Sequence, residues 1–151
     1  MSALDLSNLS ATSVSASSDR VSLFEMGPRD GLQNEAAVPT QAKVALIESL
    51  ADAGVKRIEA GSFVSPKWVP QMADSGEVFT GISRKPGVTY AALTPNLQGY
   101  ERAIAVNANE VAIFAAASEA FSQKNINCSI SESIQRFQTL IDAAKTPIPL
   151  N

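Results

Sequence analysis

The sequence contains no histidine and a single cysteine, and each shortage removes a class of function. Without histidine, the chain lacks the side chain that most often does acid/base work near neutral pH, and also the commonest metal ligand. With Cys128 alone it can build neither a disulfide framework nor a Cys/His zinc centre from its own residues. Such cysteine usage fits a reducing compartment; the cytoplasm is the expected location and the mitochondrial matrix the alternative. Positive charge is short as well: 12 Lys and Arg against 15 Asp and Glu give a net charge of −3, with no basic stripe for a phosphate backbone. No apolar run reaches the roughly 18 residues that suggest a membrane span. Neither nucleic acid nor a membrane is an expected partner.

What remains is ordinary globular composition, 45% apolar and 18% charged, at a length near the common domain size. Residues 1–20 are rich in Ser, carry no aromatic side chain and are expected to form a disordered tail. Asp5 precedes their only arginine, Arg20, a pattern that fits neither a secretory signal nor a mitochondrial presequence. From residue 21 to 151 a unit recurs: short apolar strand, loop, amphipathic helix, next strand. That alternation indicates a parallel sheet with crossover helices.

The expected strands are VSLFEM at 21–26, then 55–60, 88–93 and 110–115. The first helix is expected over 40–53, with Thr40 as N-cap, Leu46, Ile47, Leu50 and Ala51 facing inward, and Gly54 ending it. Pro66 and Pro70 forbid regular structure in SFVSPKWVPQM at 62–72, while Phe63, Trp68 and Val69 supply apolar mass for an ordered loop. Further helices are expected over 75–82 and 97–106, with a helical turn at 118–124. Ser129 and Glu132 form a capping box for a last helix carrying Ile134, Phe137, Ile141 and Ala144 on one face. Thr146-Pro147 stops it, and residues 148–151 read as the approach to a fifth strand. Four such units are half of an eightfold α/β barrel, the TIM barrel of about 250 residues; a complete doubly wound sheet is the alternative.

The chemistry concentrates where the first strand stops. Gly27-Pro28 is followed at once by Arg29 and Asp30, then by Gln33, Asn34 and Glu35. An isolated Arg-Asp pair on a surface turn is worth at most about 1 kcal/mol. Here the pair follows a strand at the face where parallel α/β proteins bind ligands. Asp30 there suits a hard cation such as Mg²⁺, and Arg29 an oxyanion. Glu59 lies at the carboxyl end of VKRIEA, one residue before Ala60, where a lone inward carboxylate costs several kcal/mol unless paired; it either pairs with Arg29 or faces a helix or solvent. Cys128, with no histidine to activate it, reads as a structural thiol rather than a nucleophile.

Four stretches, GPRDGLQNE at 27–35, SFVSPKWVPQM at 62–72, LTPNLQGYE at 93–101 and SEAFSQKNINCS at 118–129, together resemble hydroxymethylglutaryl-CoA lyase. The resemblance implies a TIM-barrel, metal-dependent lyase of leucine degradation and ketone-body formation. It would cleave the acyl-CoA substrate 3-hydroxy-3-methylglutaryl-CoA to acetyl-CoA and acetoacetate. It implies that Asp30 is a ligand of Mg²⁺ or Mn²⁺, that Arg29 is catalytic and substrate-binding, and that Glu59 is a functionally important acid. The family's two His and one Asn metal ligands and its mobile Cys have no counterpart in this sequence, so the chain is expected to supply the first half of the barrel and to be inactive alone. A related Claisen-type synthase or aldolase, and a non-catalytic fragment or assembly module, are the alternatives. A barrel cut after four strands leaves open edges, so the chain is expected to self-associate and the full-length protein to be a homo-oligomer.

Overall fold

The computed structural model describes residues 21–145, leaving the Ser-rich segment 1–20 and the expected approach to a fifth strand outside the described residues. Five helices and three strands alternate: α1 (Thr40–Asp52), β1 (Arg57–Ser62), α2 (Ser75–Gly81), β2 (Thr89–Leu93), α3 (Leu97–Ala105), β3 (Glu110–Ala112), α4 (Glu119–Ile126) and α5 (Ile130–Ala144). The strands form one parallel sheet in the order β1-β2-β3, Ile58 opposite Tyr90 and Ala92 opposite Val111. Sequential order in a parallel sheet means that each helix crosses over the same face, as in one arc of a barrel.

Ahead of β1, the expected first strand is reduced to one residue. Glu25 bridges Ile58, its amide donating to Arg57 O at 2.9 Å and its carbonyl accepting from Glu59 N at 2.8 Å. Val21 and Leu23 are 86% and 76% exposed, so the apolar run there is not buried as its composition suggested. An edge segment with a neighbour on one side only has nothing to cover its apolar side chains.

The core lies between the sheet and its helices. Ile58, Ala60, Tyr90 and Ala92 point outward from the strands onto Ile47 and Ala51 of α1, Val78 and Phe79 of α2 and Ala103 of α3, all buried. The register slips between Glu59 and Gly61, and Gly61 is required there: a Cβ would lie 2.8 Å from Ser75 Oγ and 3.0 Å from its Cβ. That close approach draws the N-terminus of α2 onto β1, and Ser75 Oγ accepts the Ser62 amide at 3.0 Å.

Several expectations are corrected. Thr40 is the first residue of α1 rather than its cap; Pro39 precedes it, and Thr40 Oγ1 donates to Asp74 Oδ2 at 2.8 Å. Leu46 lies at the surface, and the α1 position buried beside Ile47 is Lys43, whose ammonium donates to Asp74 Oδ1 at 2.6 Å and Gln71 O at 2.5 Å. Trp68 is 86% exposed, whereas Phe63 anchors the same loop in the core. The fourth strand keeps only three of its six expected residues. The capping box at Ser129 and Glu132 is formed, but α5 is rotated from the expected face: Ser133 and Leu140 are buried, Phe137 is half-buried, and Ile134 and Ile141 are exposed.

Candidate active site

Pro28 at the start of a wide helical turn, Gly27–Gly31, closes the first segment by gathering three amides onto one carbonyl. Met26 O accepts from Arg29 N at 3.1 Å, Asp30 N at 2.7 Å and Gly31 N at 3.5 Å. Glu25 Oε1 accepts the Gly27 amide at 2.6 Å and fixes the entry to the turn. The turn rotates Arg29 inward, 7% exposed, while Asp30 stays open.

Glu59, 1% exposed, meets Arg29 beneath the turn. Arg29 Nε donates to Glu59 Oε2 at 2.6 Å, and Arg29 Nη1 donates to Asp30 Oδ1 at 2.7 Å, with Gln33 Oε1 at 3.5 Å as a weaker acceptor. Gln33 Nε2 donates to the same Asp30 Oδ1 at 3.0 Å. The structure thus joins Arg29, Asp30 and Glu59, and resolves the open choice for Glu59 in favour of the Arg29 pair. Burial pushes the Glu59 carboxyl above the usual carboxylate range, with the Arg29 hydrogen bond and charge opposing that rise. Glu59 Oε1 is buried without a hydrogen-bond partner among the described residues, as are the hydroxyls of Ser62 and Thr94 at the carboxyl ends of β1 and β2.

Arg29, Asp30, Gln33 and Asn34 form the polar wall of a cleft of about 990 Å³. Trp68 and Val69 of the proline-interrupted loop, Phe114 after β3, and Phe121 and Phe137 of α4 and α5 supply apolar wall, with Asn96, Asn125 and Arg136 as further polar lining. This is the carboxyl-end face of the sheet, and it explains the exposed Trp68: the loop supplies wall rather than core. A large cleft that sets aromatic side chains beside convergent polar groups is the form of a small-molecule site.

The donor set fits a hard divalent cation only in part. Asp30 is exposed in the cleft, and its Oδ2 takes no part in the bonds that occupy Oδ1; Gln33 and Asn34 add amide oxygens nearby. Glu59 offsets the Arg29 charge, so the Asp30 carboxylate is not spent on that guanidinium alone. One carboxylate with water and substrate oxygens is a known mode for Mg²⁺. No group of three or more His, Cys, Asp or Glu is assembled among the described residues.

Gln33, which grips Asp30 and approaches Arg29, was visible in the sequence only as part of a polar cluster. The buried Lys43–Asp74 pair was missed, although its signal exists: Lys43 lies one helical turn before Ile47 on the buried face of α1. Cys128 is buried and free, as a structural thiol should be. Its carbonyl accepts from Ser122 Oγ at 2.7 Å, which ties α4 to the start of α5.

Comparison with known proteins bears on both the arc and the site. The chain is 60% identical over 127 residues to the 3-hydroxy-3-isohexenylglutaryl-CoA/hydroxy-methylglutaryl-CoA lyase of Pseudomonas aeruginosa, a match covering 83% of this chain and 42% of that protein. It is 56% identical over 138 residues to the mitochondrial hydroxymethylglutaryl-CoA lyase of Bos taurus, covering 91% and 42% respectively. The crystal structure of hydroxymethylglutaryl-CoA lyase from Pseudomonas aeruginosa superposes with a TM-score of 0.81 at 60% identity over 83% of this chain and 42% of that one. The chain therefore spans less than half the length of these relatives, and its parallel arc is part of their TIM barrel. Residues 20–147 match the HMGL-like family, and the chain belongs to it.

Proposed function

We propose that this chain contributes the arginine-and-acid wall of a hydroxymethylglutaryl-CoA lyase site, acting on 3-hydroxy-3-methylglutaryl-CoA to give acetyl-CoA and acetoacetate. The observation that carries the reading is the buried Arg29–Glu59 pair, presented beside Asp30 in the wall of a cleft at the carboxyl-end face of the sheet. Cleavage of a tertiary alcohol of this kind removes the hydroxyl proton, breaks the adjacent carbon–carbon bond and leaves a thioester enolate. A divalent ion, Mg²⁺ or Mn²⁺, held by Asp30 with help from residues outside this chain, would supply Lewis acidity toward the hydroxyl and carbonyl oxygens.

The chain's own residues do the following. Arg29 borders the cleft with a cationic planar donor and stabilises negative charge as it develops on the enolate oxygen. Glu59 holds Nε, so the guanidinium is oriented before substrate arrives and needs no reorganisation during reaction; it is a positioning residue, since its contact is with Arg29. Gln33 and Arg29 together fix Asp30 Oδ1 and leave the other oxygen directed to ligand chemistry. Phe114, Phe121 and Phe137 offer apolar surface for the less polar length of an acyl-CoA. The single buried cysteine supports action in a reducing compartment, the cytoplasm, and the names of mammalian relatives make the mitochondrial matrix the alternative.

The test replaces the matched 127 residues of the Pseudomonas aeruginosa lyase with those of this chain and measures acetoacetate release. Turnover near that of the relative is expected. A folded chimera that binds metal but releases no acetoacetate, or that instead condenses acetyl-CoA with an oxo acid, would refute the reading.

A further inference from the structure

We infer that Lys43 is a positioning residue: its buried ammonium pins the outgoing end of the proline-interrupted loop, and so holds the Trp68–Val69 wall of the cleft where an acyl-CoA would lie. The acyl-CoA clause rests on the lyase reading, whereas the pinning of the loop does not.

Among the described residues Lys43 is the only buried lysine, one turn before Ile47 on α1. Its ammonium donates to Asp74 Oδ1 at 2.6 Å and to the Gln71 carbonyl at 2.5 Å. Asp74 alone would balance the charge, and Thr40 Oγ1 donates to its other oxygen at 2.8 Å. The bond to Gln71 O does something further, since that carbonyl lies two residues after Val69 and closes the loop. The loop's incoming end is fixed separately. There the Phe63 amide donates to Leu93 O at 2.8 Å, and the Phe63 ring packs on Phe79 with centroids 5.9 Å apart.

Between these anchors, residues 64–70 are hydrogen-bonded, among the described residues, only to one another and to Met72 and Ala73. Ser65 O accepts the Trp68 amide at 2.9 Å and the Val69 amide at 3.2 Å, a turn that sets both side chains in the cleft wall. The place of that turn is therefore decided by the two ends, and Lys43 supplies the charge-assisted bond at one of them. Gln71 carries the constraint further: its Nε2 donates to Glu35 O at 3.2 Å, next to Asn34 of the polar wall. The side-chain bonds that join Arg29, Asp30, Gln33 and Glu59 do not involve this loop. Loosening the loop should consequently weaken binding and spare the groups that act on the breaking bond.

Hydrogen exchange on the 151-residue chain follows the amides of Trp68, Val69, Met72 and Ala73 against those of β1 and β2. Lys43→Met should speed the loop amides about tenfold or more relative to the strand amides, the effect of losing one charge-assisted hydrogen bond. Lys43→Met/Asp74→Asn removes the charge left unpaired and should recover the unfolding midpoint, yet keep the loop amides fast, because Gln71 O still has no donor. In the active chimera, both variants should raise KM for 3-hydroxy-3-methylglutaryl-CoA about fivefold or more, with kcat and Mg²⁺ affinity nearly unchanged. Should Lys43→Met alone not fold, the double variant carries both measurements. Loop amides that return to the wild-type rate in the double variant, or that speed up only in step with the strands, would overturn the proposal and reduce Lys43 to a counter-ion of Asp74. So would fast loop amides with an unchanged KM, or a loss confined to kcat. A wild-type chimera without activity refutes the lyase reading instead, and the exchange result then decides the pinning of the loop by itself.

Discussion

Arg29, Asp30 and Glu59 occupy one constellation with three electrostatic duties. Removing Glu59 leaves a buried guanidinium without its main counter-charge, a change worth about 3–5 kcal/mol, so Glu59→Ala should lower the unfolding midpoint strongly. Glu59→Gln keeps an acceptor for Arg29 Nε and gives a pH test. Because burial raises the folded carboxyl's pKa above its unfolded value, the folded state holds the extra proton in the window between the two. Stability contributed by this group is therefore present at low pH and declines as pH rises above about 4.3, the unfolded glutamate value. Wild-type Tm minus Glu59→Gln Tm should fall as pH is raised through that window; a difference that grows with pH would show that the Arg29 bond outweighs burial. In the active chimera, Arg29→Gln should reduce kcat by about 10² to 10³ with little loss of metal affinity, and Arg29→Lys should rescue poorly because the planar fork is lost. Asp30→Asn should weaken Mg²⁺ or Mn²⁺ binding, read by metal titration. An Arg29→Gln chimera with near-normal kcat would reduce this arginine to a structural counter-ion of Glu59.

At the scale of elements, the helices were legible because their signals are local. The Ser129–Glu132 capping box is formed as the residues specify, Ser129 Oγ accepting Glu132 N at 3.1 Å and Glu132 Oε2 accepting Ser129 N at 2.7 Å. Gly54 ends α1 in the left-handed region, φ +97°, with the preceding turn already closed. Ser129→Ala should therefore cost about 1 kcal/mol in a urea melt. The failures at this scale are tertiary. Which way α5 faces depends on its neighbour, and the apolar set at Ile134 and Ile141 is a correct record of a face that the described residues do not cover. Lys43 was read past because a lysine inside an apolar stripe is usually a solvated edge, yet Asp74, thirty-one residues on, makes burial tolerable. Gly61 lies just past the expected strand and has no local sequence signal; only the approach of Ser75 gives it a reason. Gly61→Ala forces β1 and α2 apart or displaces the Ser75 hydroxyl, and a loss of about 1–3 kcal/mol is expected from such overpacking. A urea midpoint unchanged from wild type would mean that α2 yields freely.

For the whole molecule, alternation of strand and helix was sufficient to read a parallel arc, since crossover helices and parallel strands imply each other. Closure was not readable in that way, because it is a property of edges, and edges have no local sequence signature: Val21 and Leu23 have the composition of a buried strand, yet no neighbour among the described residues covers them. The proposed activity is read at the same scale. Asp30 is one carboxylate, the described residues assemble no cluster of three metal-ligating side chains, and the sequence contains no histidine to complete a coordination sphere or carry a proton. A cation held by one carboxylate leaves the rest of its coordination to water and substrate, so its position toward the reacting oxygens is weakly fixed. The 151-residue chain given 3-hydroxy-3-methylglutaryl-CoA and Mg²⁺ should accordingly release no acetoacetate above the uncatalysed rate. Adding a separately expressed polypeptide for the remaining length of the Pseudomonas aeruginosa lyase should restore turnover that rises with the concentration of the added chain and saturates. Robust acetoacetate release by this chain alone would show that its own Arg29, Asp30 and Glu59 suffice, and that the ligands assigned to the rest of the barrel are dispensable.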